Sequence, residues 1–169
     1  LMRERLRPGM TAIDVGANIG YYALLEASLV GPKGLVYALE PFPRNYDLLV
    51  RNIRLNRRDD RIRPFRLAAG DAEGRARMYL GPSDNMHCLM EYDRTDTFND
   101  FIEVEAVTLD RFLGDKRPVD FLRMDLEGYE CQVLDGMNGI LKSVRPDLLF
   151  EVHPVGDVDP DPRDTPYLE

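Results

Sequence analysis

The chain has 169 residues, of which 44% are hydrophobic and 31% charged, a balance typical of one soluble globular domain with a substantial core. Its net charge of −8 argues against a protein that binds a nucleic-acid backbone, because such proteins need a basic surface. The two cysteines form no Cys/His cluster and no apolar run reaches the ~18 residues of a membrane span. We therefore expect a cytoplasmic protein without a disulfide framework, a structural zinc site or a membrane segment, and we assign no metal ligands.

Predicted strands and helices alternate along most of the chain. Short apolar runs predict strands at 11–15, 35–39, 61–67, 119–124 and 147–152. Apolar side chains at helical spacing predict helices at 20–30, from Pro43 to about 56, at 108–113 and at 129–142. This order predicts an α/β fold with a doubly wound, mostly parallel sheet and helices on both faces. Pro64 indicates an edge position, a bulge or a later start for the third strand.

Two further segments interrupt this alternation. Residues 75–80 and 101–107 alternate in part and predict additional strands. The polar segment between them, 81–100, is longer than the usual loop of a compact domain, and we expect it to fold over the site as a lid. The whole chain, 1–169, is predicted to be a single domain, with a core at 10–153 and a Pro- and Asp-rich tail at 154–169.

A glycine-rich turn led by an acid follows the first strand, with Asp14, Gly16, Asn18 and Gly20 at every second position. Such a turn lets backbone N–H groups at a helix N-terminus approach a ligand closely. The carboxylate favours a cationic or hydroxyl-rich ligand, and S-adenosyl-L-methionine offers an ammonium, a sulfonium and a ribose. The pattern matches neither the nicotinamide fingerprint G-x-G-x-x-G nor a Walker loop, which needs GK[ST]. Asp14 could also cap its own turn, and the two uses are compatible.

Polar residues end four of the predicted core strands. They are Asp14, Glu40, Asp125, and Glu151 with His153. The carboxyl ends of parallel strands meet at one edge of a sheet, where ligands of such folds bind. Glu40 follows the second strand, 26 residues after Asp14, and an acid there can accept both hydroxyls of a ribose. The alternative is a solvated glutamate at the end of a strand.

Three residues near this edge are candidates for acid–base chemistry. Asp125 and Glu127 stand two apart, and paired carboxylates can hold a substrate hydroxyl, take its proton or bind Mg²⁺. Alternatively, Glu127 and Glu130 favour the N-terminus of the helix that follows. His153 is the third candidate, because an imidazole group ordinarily titrates near neutrality and suits a proton acceptor, although a lone histidine is more often a surface or hydrogen-bonded residue.

Several motifs follow one another in a recognisable order between residues 10 and 154. They are Asp14-Val-Gly-Ala-Asn-Ile-Gly-Tyr-Tyr, Glu40-Pro41, Leu109-Asp110-Arg111-Phe112, Asp125-Leu-Glu127-Gly128-Tyr129-Glu130, Val133-Leu134-Asp135-Gly136 and Phe150-Glu151-Val152-His153. This set resembles the FkbM family of S-adenosyl-L-methionine-dependent methyltransferases, which have the class I, Rossmann-like fold. The resemblance implies an O-methyltransferase that acts on a hydroxyl of a sugar, a polyketide or another small molecule.

The resemblance also implies roles for individual residues. Around the methionine part of the donor it places Asp14, Gly16, Asn18 and Gly20, and beside the ribose it places Glu40. Around the adenine it places Pro41, Phe42, Ala68 and Asp71. Asp125 would face the reacting methyl group, and Asp125, Glu127 or His153 would orient the acceptor.

Two alternatives to methyl transfer stay open at this point. Class I sheets usually carry an antiparallel strand pair after the fifth strand, but only 16 residues follow His153, so we expect that pair to be missing or shortened. Such a chain could be a cofactor-binding or interaction module without turnover, whose exposed strand edge pairs with another chain. The other alternative is an NAD(P)-dependent oxidoreductase. The expected partner is a small hydroxylated acceptor, not nucleic acid or a membrane, and the sequence leaves a homo-oligomer open.

Overall fold

The computed structural model describes residues 1–81, 87–89, 100–114, 116 and 118–151. Its elements in chain order are α1 (Met2–Arg5), β1 (Thr11–Val15), α2 (Tyr21–Val30), β2 (Leu35–Leu39), α3 (Pro43–Leu55), β3 (Ile62–Phe65), β4 (Ala68–Ala69), β5 (Gly74–Tyr79), β6 (Phe101–Val107), α4 (Leu109–Leu113), β7 (Phe121–Met124), α5 (Glu130–Asp135), α6 (Asn138–Ser143) and β8 (Asp147–Phe150).

The main sheet has five parallel strands in the order β3-β2-β1-β7-β8. The chain runs outward from β1 to β3 on one side and then returns to lay β7 and β8 on the other side. The strand order therefore reverses between β1 and β7, which is where open α/β sheets bind their ligands. The predicted doubly wound parallel sheet is confirmed. The strand β3, which contains Pro64, lies at an edge of the sheet, one of the three alternatives that the proline left open.

Helices cover both faces of this sheet, as predicted. On one face, α1, α2 and α3 pack over a core in which small side chains bring α2 close to the strands. Ala23 and Ala27 of α2 meet Ala12 of β1 and Ala38 of β2, and all four are wholly buried. On the other face, α4, α5 and α6 cover a core of larger apolar side chains, among them Leu109 of α4, Met124 of β7 and Met137 between α5 and α6. Every residue of β1 is buried, as expected for the centre of a covered sheet.

A second, smaller sheet stands beside the carboxyl ends of the main strands. The two additional strands predicted from the sequence form the antiparallel pair β5–β6, and β4 adds to β6 in parallel. Most of the predicted lid, 82–86 and 90–99, lies outside the described residues, as do His153 and the tail. The expected loss of a C-terminal strand pair also falls outside them. In the described part of the chain, no helix combines the length and apolar character needed to cross a bilayer.

The single helix predicted at 129–142 is wrong, because the chain forms two short helices that meet at Gly136. A Cβ atom at Gly136 would overlap the carbonyl oxygen of Gly70, so α5 packs directly against the backbone after β4. The second helix, α6, then starts afresh on the carboxylate of Asp110. Its Oδ2 accepts the Gly139 N–H at 2.7 Å and its Oδ1 accepts the Ile140 N–H at 2.8 Å.

We expect Gly136→Ala to lower the free energy of unfolding by about 3 kcal/mol, since the methyl group must displace backbone. Urea denaturation measures the change. The control is Gly9→Ala, at a glycine with φ +92° and open space around it. Its backbone strain alone should cost about 1 kcal/mol. Equal losses in the two variants would contradict the close approach of α5 to Gly70.

Candidate functional site

A cleft opens at the carboxyl edge, the edge of the main sheet where its five strands end. The space between its walls, open solvent included, is about 580 Å³. Its floor comes from the residues that follow β1 and β7. One wall follows β2, and the opposite wall is apolar, with Leu67, Ala68, Met78 and Leu89. The cleft therefore lies at the point where the strand order reverses.

The turn after β1 packs tightly against the segment that follows β7. Gly16 has φ +76°, and a Cβ atom there would lie 2.5 Å from the carbonyl oxygen of Asp125. The N–H groups of Gly16 and Ala17 both donate to the carbonyl oxygen of Leu39, at 3.0 and 2.9 Å. Glycine is thus required at this position by both conformation and space, and its backbone forms part of the cleft.

Glu40 ties the two loops of this edge together. Its Oε2 accepts the backbone N–H of Asn18 at 2.8 Å, and its Oε1 accepts that of Phe42 at 2.9 Å. The residue is 4% exposed and lines the cleft. Burial raises the pKa of Glu40 to about 7, against the two N–H donors, which lower it. A carboxylate has about four lone-pair sites, so Glu40 can still accept hydrogen bonds from a ligand.

Asp14 lies beneath the cleft and is wholly buried, so it offers the cleft no surface. It stands opposite Arg123 in the parallel pair β1–β7. Arg123 Nη1 donates to Asp14 Oδ1 at 2.9 Å, and Arg123 Nη2 donates to Asp125 Oδ2 at 2.8 Å. Asp125, with 37% of its side chain exposed, does line the cleft. The arginine therefore joins a carboxylate of the core to a carboxylate of the site.

Two side chains of α2 complete this charged cluster. The ring of Tyr22 lies 3.8 Å from the guanidinium carbon of Arg123. Glu26 is wholly buried, and neither carboxylate oxygen has a hydrogen-bond partner among the described residues. Burial raises the pKa of Glu26 well above its ordinary value, and the charge of Asp14 raises it further. Glu26 is therefore favoured as a neutral acid, which leaves Arg123 to balance the charge of Asp14.

The segment after β7 brings both predicted acid–base carboxylates to the cleft. Asp125 and Glu127 line it, and the chain turns sharply between them and α5, with φ +53° at Glu127 and +99° at Gly128. Glu130 instead bonds the local backbone, since its Oε1 accepts the Leu126 N–H at 2.9 Å. A left-handed glutamate is strained by about 1–2 kcal/mol, and such strain is common at functional sites.

The structure brings most of the sequence-predicted residues to one place. Seven of them line the cleft: Gly16, Asn18, Glu40, Pro41, Ala68, Asp125 and Glu127. Four do not, for separate reasons. Asp14 is buried against Arg123, Gly20 packs on Leu49, Phe42 packs against His87 with ring centres 4.2 Å apart, and Asp71 is exposed. His153 lies outside the described residues, and the individual roles of all these residues stay predictions.

Sequence reasoning missed the cluster around Arg123 and one wall of the cleft. A charged residue inside the apolar strand 119–124 was the available signal, because a buried arginine needs an acidic partner. Nothing in the sequence pairs Arg123 with Asp14, 109 positions away, until the strand register is known. Likewise, Met78 and Leu89 reach the cleft from beyond the main sheet, through contacts that periodicity does not reveal. Among the described residues, no group of three or more His, Cys, Asp or Glu side chains could hold a metal ion.

Comparison with known proteins also indicates a methyltransferase. The family model of the methyltransferase FkbM domain matches residues 14–164. The hexuronic acid methyltransferase AglP of Haloferax volcanii is 26% identical over 159 residues, 92% of this chain and 59% of its own length. A protein-L-isoaspartate O-methyltransferase of Methanothrix thermoacetophila is 44% identical over 48 residues, 28% of this chain and 23% of its own.

A solved structure shares the fold. The methyltransferase FkbM of Methylobacillus flagellatus superposes with a TM-score of 0.62 at 20% identity, over 88% of this chain and 38% of that one. This chain spans less than two thirds of the length of each of these three relatives.

We expect Arg123→Met to destabilise the fold by about 3–5 kcal/mol at pH 8, because it leaves Asp14 buried without its cation. Burial already raises the pKa of Asp14 above its ordinary 3.8, and Arg123 lowers it, so the variant raises it further. A carboxyl group whose pKa is higher in the folded than in the unfolded protein favours the folded state at low pH, and this contribution to stability is lost as the pH rises. The loss caused by Arg123→Met should therefore shrink between pH 8 and pH 5, as measured by urea denaturation.

The matched control is Arg75→Met, which breaks an exposed ion pair to Glu103 with N···O 2.8 Å. Exposed pairs contribute about 0–1 kcal/mol, so this variant should lose little at either pH. If Arg123→Met lost the same stability at pH 8 and at pH 5, the unpaired charge of Asp14 could not be the cause of the loss.

Proposed function

The chain belongs to the FkbM family of methyltransferases, and from that premise we propose that it binds S-adenosyl-L-methionine in the cleft at the carboxyl edge. We further propose that it is an O-methyltransferase for a small hydroxylated acceptor of the sugar type. The donor is the one that the sequence motifs imply, and the match to a methyltransferase family model supports it. The identity of the acceptor and the transfer of the methyl group to an oxygen atom are both part of this proposal.

The charge of the cleft is the observation that carries the proposal. Three carboxylates line it, those of Glu40, Asp125 and Glu127, and no lysine or arginine does so among the described residues. Above the pKa of Glu40, about 7, such a surface attracts a positively charged ligand and repels the pyrophosphate of a dinucleotide. This supports a sulfonium donor over NAD(P), which was the alternative left open by the sequence.

The shape and the remaining polar groups fit the same donor. Glu40 is fixed by two backbone N–H groups yet keeps lone pairs for hydroxyls, as a ribose requires. Beside it, Pro41 and the apolar side chains of Ala68, Met78 and Leu89 offer a surface suited to a flat base. The backbone at Gly16 and Asn18 lies open to the cleft.

When bound, the donor supplies a methyl group on a sulfur that is already activated for displacement. The protein's own part is then to hold the acceptor oxygen in line and to keep water out, and positioning of this kind can contribute roughly 7–11 kcal/mol. An acceptor hydroxyl loses its proton as its oxygen gains the methyl group. We assign that proton to the carboxylate of Asp125 or Glu127, which border the cleft together.

A relative that covers most of this chain supports a sugar acceptor. AglP is a hexuronic acid methyltransferase, and its 26% identity extends over 92% of the chain, well beyond the donor turn. By contrast, the likeness to protein-L-isoaspartate O-methyltransferases covers only 28% of the chain in the example above. We therefore propose sugars and sugar acids as the first acceptors to test.

Calorimetric titration separates the proposal from its rivals. We expect S-adenosyl-L-methionine and S-adenosylhomocysteine to bind and NAD⁺ to show no heat of binding. With a methyl-labelled donor, label should then pass to a hexuronic acid or a neutral sugar. Binding without transfer to any such acceptor would favour a cofactor-binding module, and binding of NAD⁺ alone would contradict the proposal.

The titration of Glu40 gives a second test. Its ionised form accepts ribose hydroxyls better than its neutral form, so affinity for S-adenosylhomocysteine should rise as the pH increases through about 7 and then level off. Glu40→Gln should weaken binding roughly 10- to 100-fold above pH 8, the range for a hydrogen bond to a charged group. The variant should also lose most of the rise in affinity with pH. The pH dependence that remains should come from ionisable groups of the ligand itself.

Glu103→Gln is the control, because Glu103 lies on β6 with 56% of its side chain exposed. That variant should keep both the affinity and the pH dependence of the unchanged chain. If Glu40→Gln bound the ligand as tightly as Glu103→Gln at every pH, Glu40 would have no part in the site.

A further inference from the structure

Arg123 connects the carboxylate of Asp14 with the carboxylate of Asp125. Its two terminal nitrogens point in different directions, with Nη1 on Asp14 at 2.9 Å and Nη2 on Asp125 at 2.8 Å. Asp14 is wholly buried, whereas 37% of the Asp125 side chain is exposed at the cleft. One planar cation thus spans from the core of the sheet to the wall of the site.

The guanidinium is held from three sides. Two charged hydrogen bonds fix its plane, and the ring of Tyr22 lies over it at 3.8 Å. Its side chain is 9% exposed, so water cannot easily replace either carboxylate. Burial raises the pKa of the nearby Glu26 well above its ordinary value, which favours its neutral form. A group restrained in this way can in turn restrain whatever it bonds.

Arg123 restrains the carboxylate of Asp125 in turn. An aspartate at the end of a strand can rotate its carboxylate into water, and Arg123 holds one oxygen of Asp125 back toward the protein. The same bond restrains the other oxygen of Asp125, a residue that lines the cleft. Preorganised charge of this kind binds a cation better than a mobile carboxylate, because no reorganisation is needed on binding.

We propose that Arg123 is a positioning residue, which fixes the carboxylate of Asp125 for the positively charged donor and is itself anchored by Asp14 and Tyr22. The inference rests on the proposed function, since it takes the cleft to be the donor site. It also gives the acid of the glycine turn an indirect role. Asp14 acts on the site through Arg123 instead of touching the ligand.

A double-mutant cycle tests this relay. Arg123→Lys keeps the charge but cannot donate in two fixed directions from one planar group. Alone, it should weaken the binding of S-adenosyl-L-methionine roughly tenfold, as measured by calorimetry at pH 8. In the Asp125→Ala background, where no carboxylate is left to position, the same substitution should change the affinity less than twofold. Arg75→Lys, in the exposed pair with Glu103, should have no effect in either background.

A second double-mutant cycle tests the same relay with a milder substitution, in case Arg123→Lys fails to fold. Tyr22 is 39% exposed, so Tyr22→Leu removes the aromatic contact without opening the core. It should weaken donor binding in the unchanged chain and not in Asp125→Ala. Urea denaturation of every variant shows whether the affinity simply follows stability.

The outcomes are distinct. Coupling of both substitutions to Asp125 would support the relay. Equal losses of affinity with and without Asp125 would overturn it, because Arg123 would then act on the fold as a whole, while the proposed function would stand. Failure of the unchanged chain to bind the donor would overturn the proposed function and this inference with it.

Discussion

The buried carboxylate of Glu40 is the group on which the shape of the site depends. It accepts one N–H from the turn after β1 and one from the loop after β2, and so holds two neighbouring loops at a fixed separation. Both loops border the cleft, and the absent side chain of Gly16 lets the first of them rest on the backbone that follows β7. A carboxylate that braces its own loops yet keeps lone pairs toward a cleft is well suited to a ligand with hydroxyl groups.

Acidic residues lie at or just beyond the ends of three adjacent strands, and they have different surroundings. Glu40 after β2 and Asp125 after β7 face the cleft, while Asp14 on β1 between them is buried and bonded to Arg123. Arg123 offsets part of the charge of both Asp14 and Asp125, and among the described residues that line the cleft three are acidic and none is lysine or arginine. The same arrangement therefore serves both the stability of the sheet and the preference of the site for a cation.

Much of this could be predicted from the sequence, because strand and helix periodicity and the acid-led glycine turn are local patterns. Periodicity predicted the parallel sheet and the helices on both faces, and the series of motifs between residues 10 and 154 indicated the family by resemblance. The break in the helix at 129–142 could not be predicted, because it depends on the contact of Gly136 with Gly70. The role expected for Asp14 at the ligand rested on the motif alone, and the register that sets Arg123 opposite it is a long-range property of the sheet.

A crystal structure with S-adenosylhomocysteine would test the central claim most directly. The account predicts the two ribose hydroxyls of the ligand within hydrogen-bonding distance of Glu40, with the bond from Arg123 to Asp125 intact at the wall of the cleft. A ligand bound elsewhere, or one whose ribose lies away from Glu40, would contradict it.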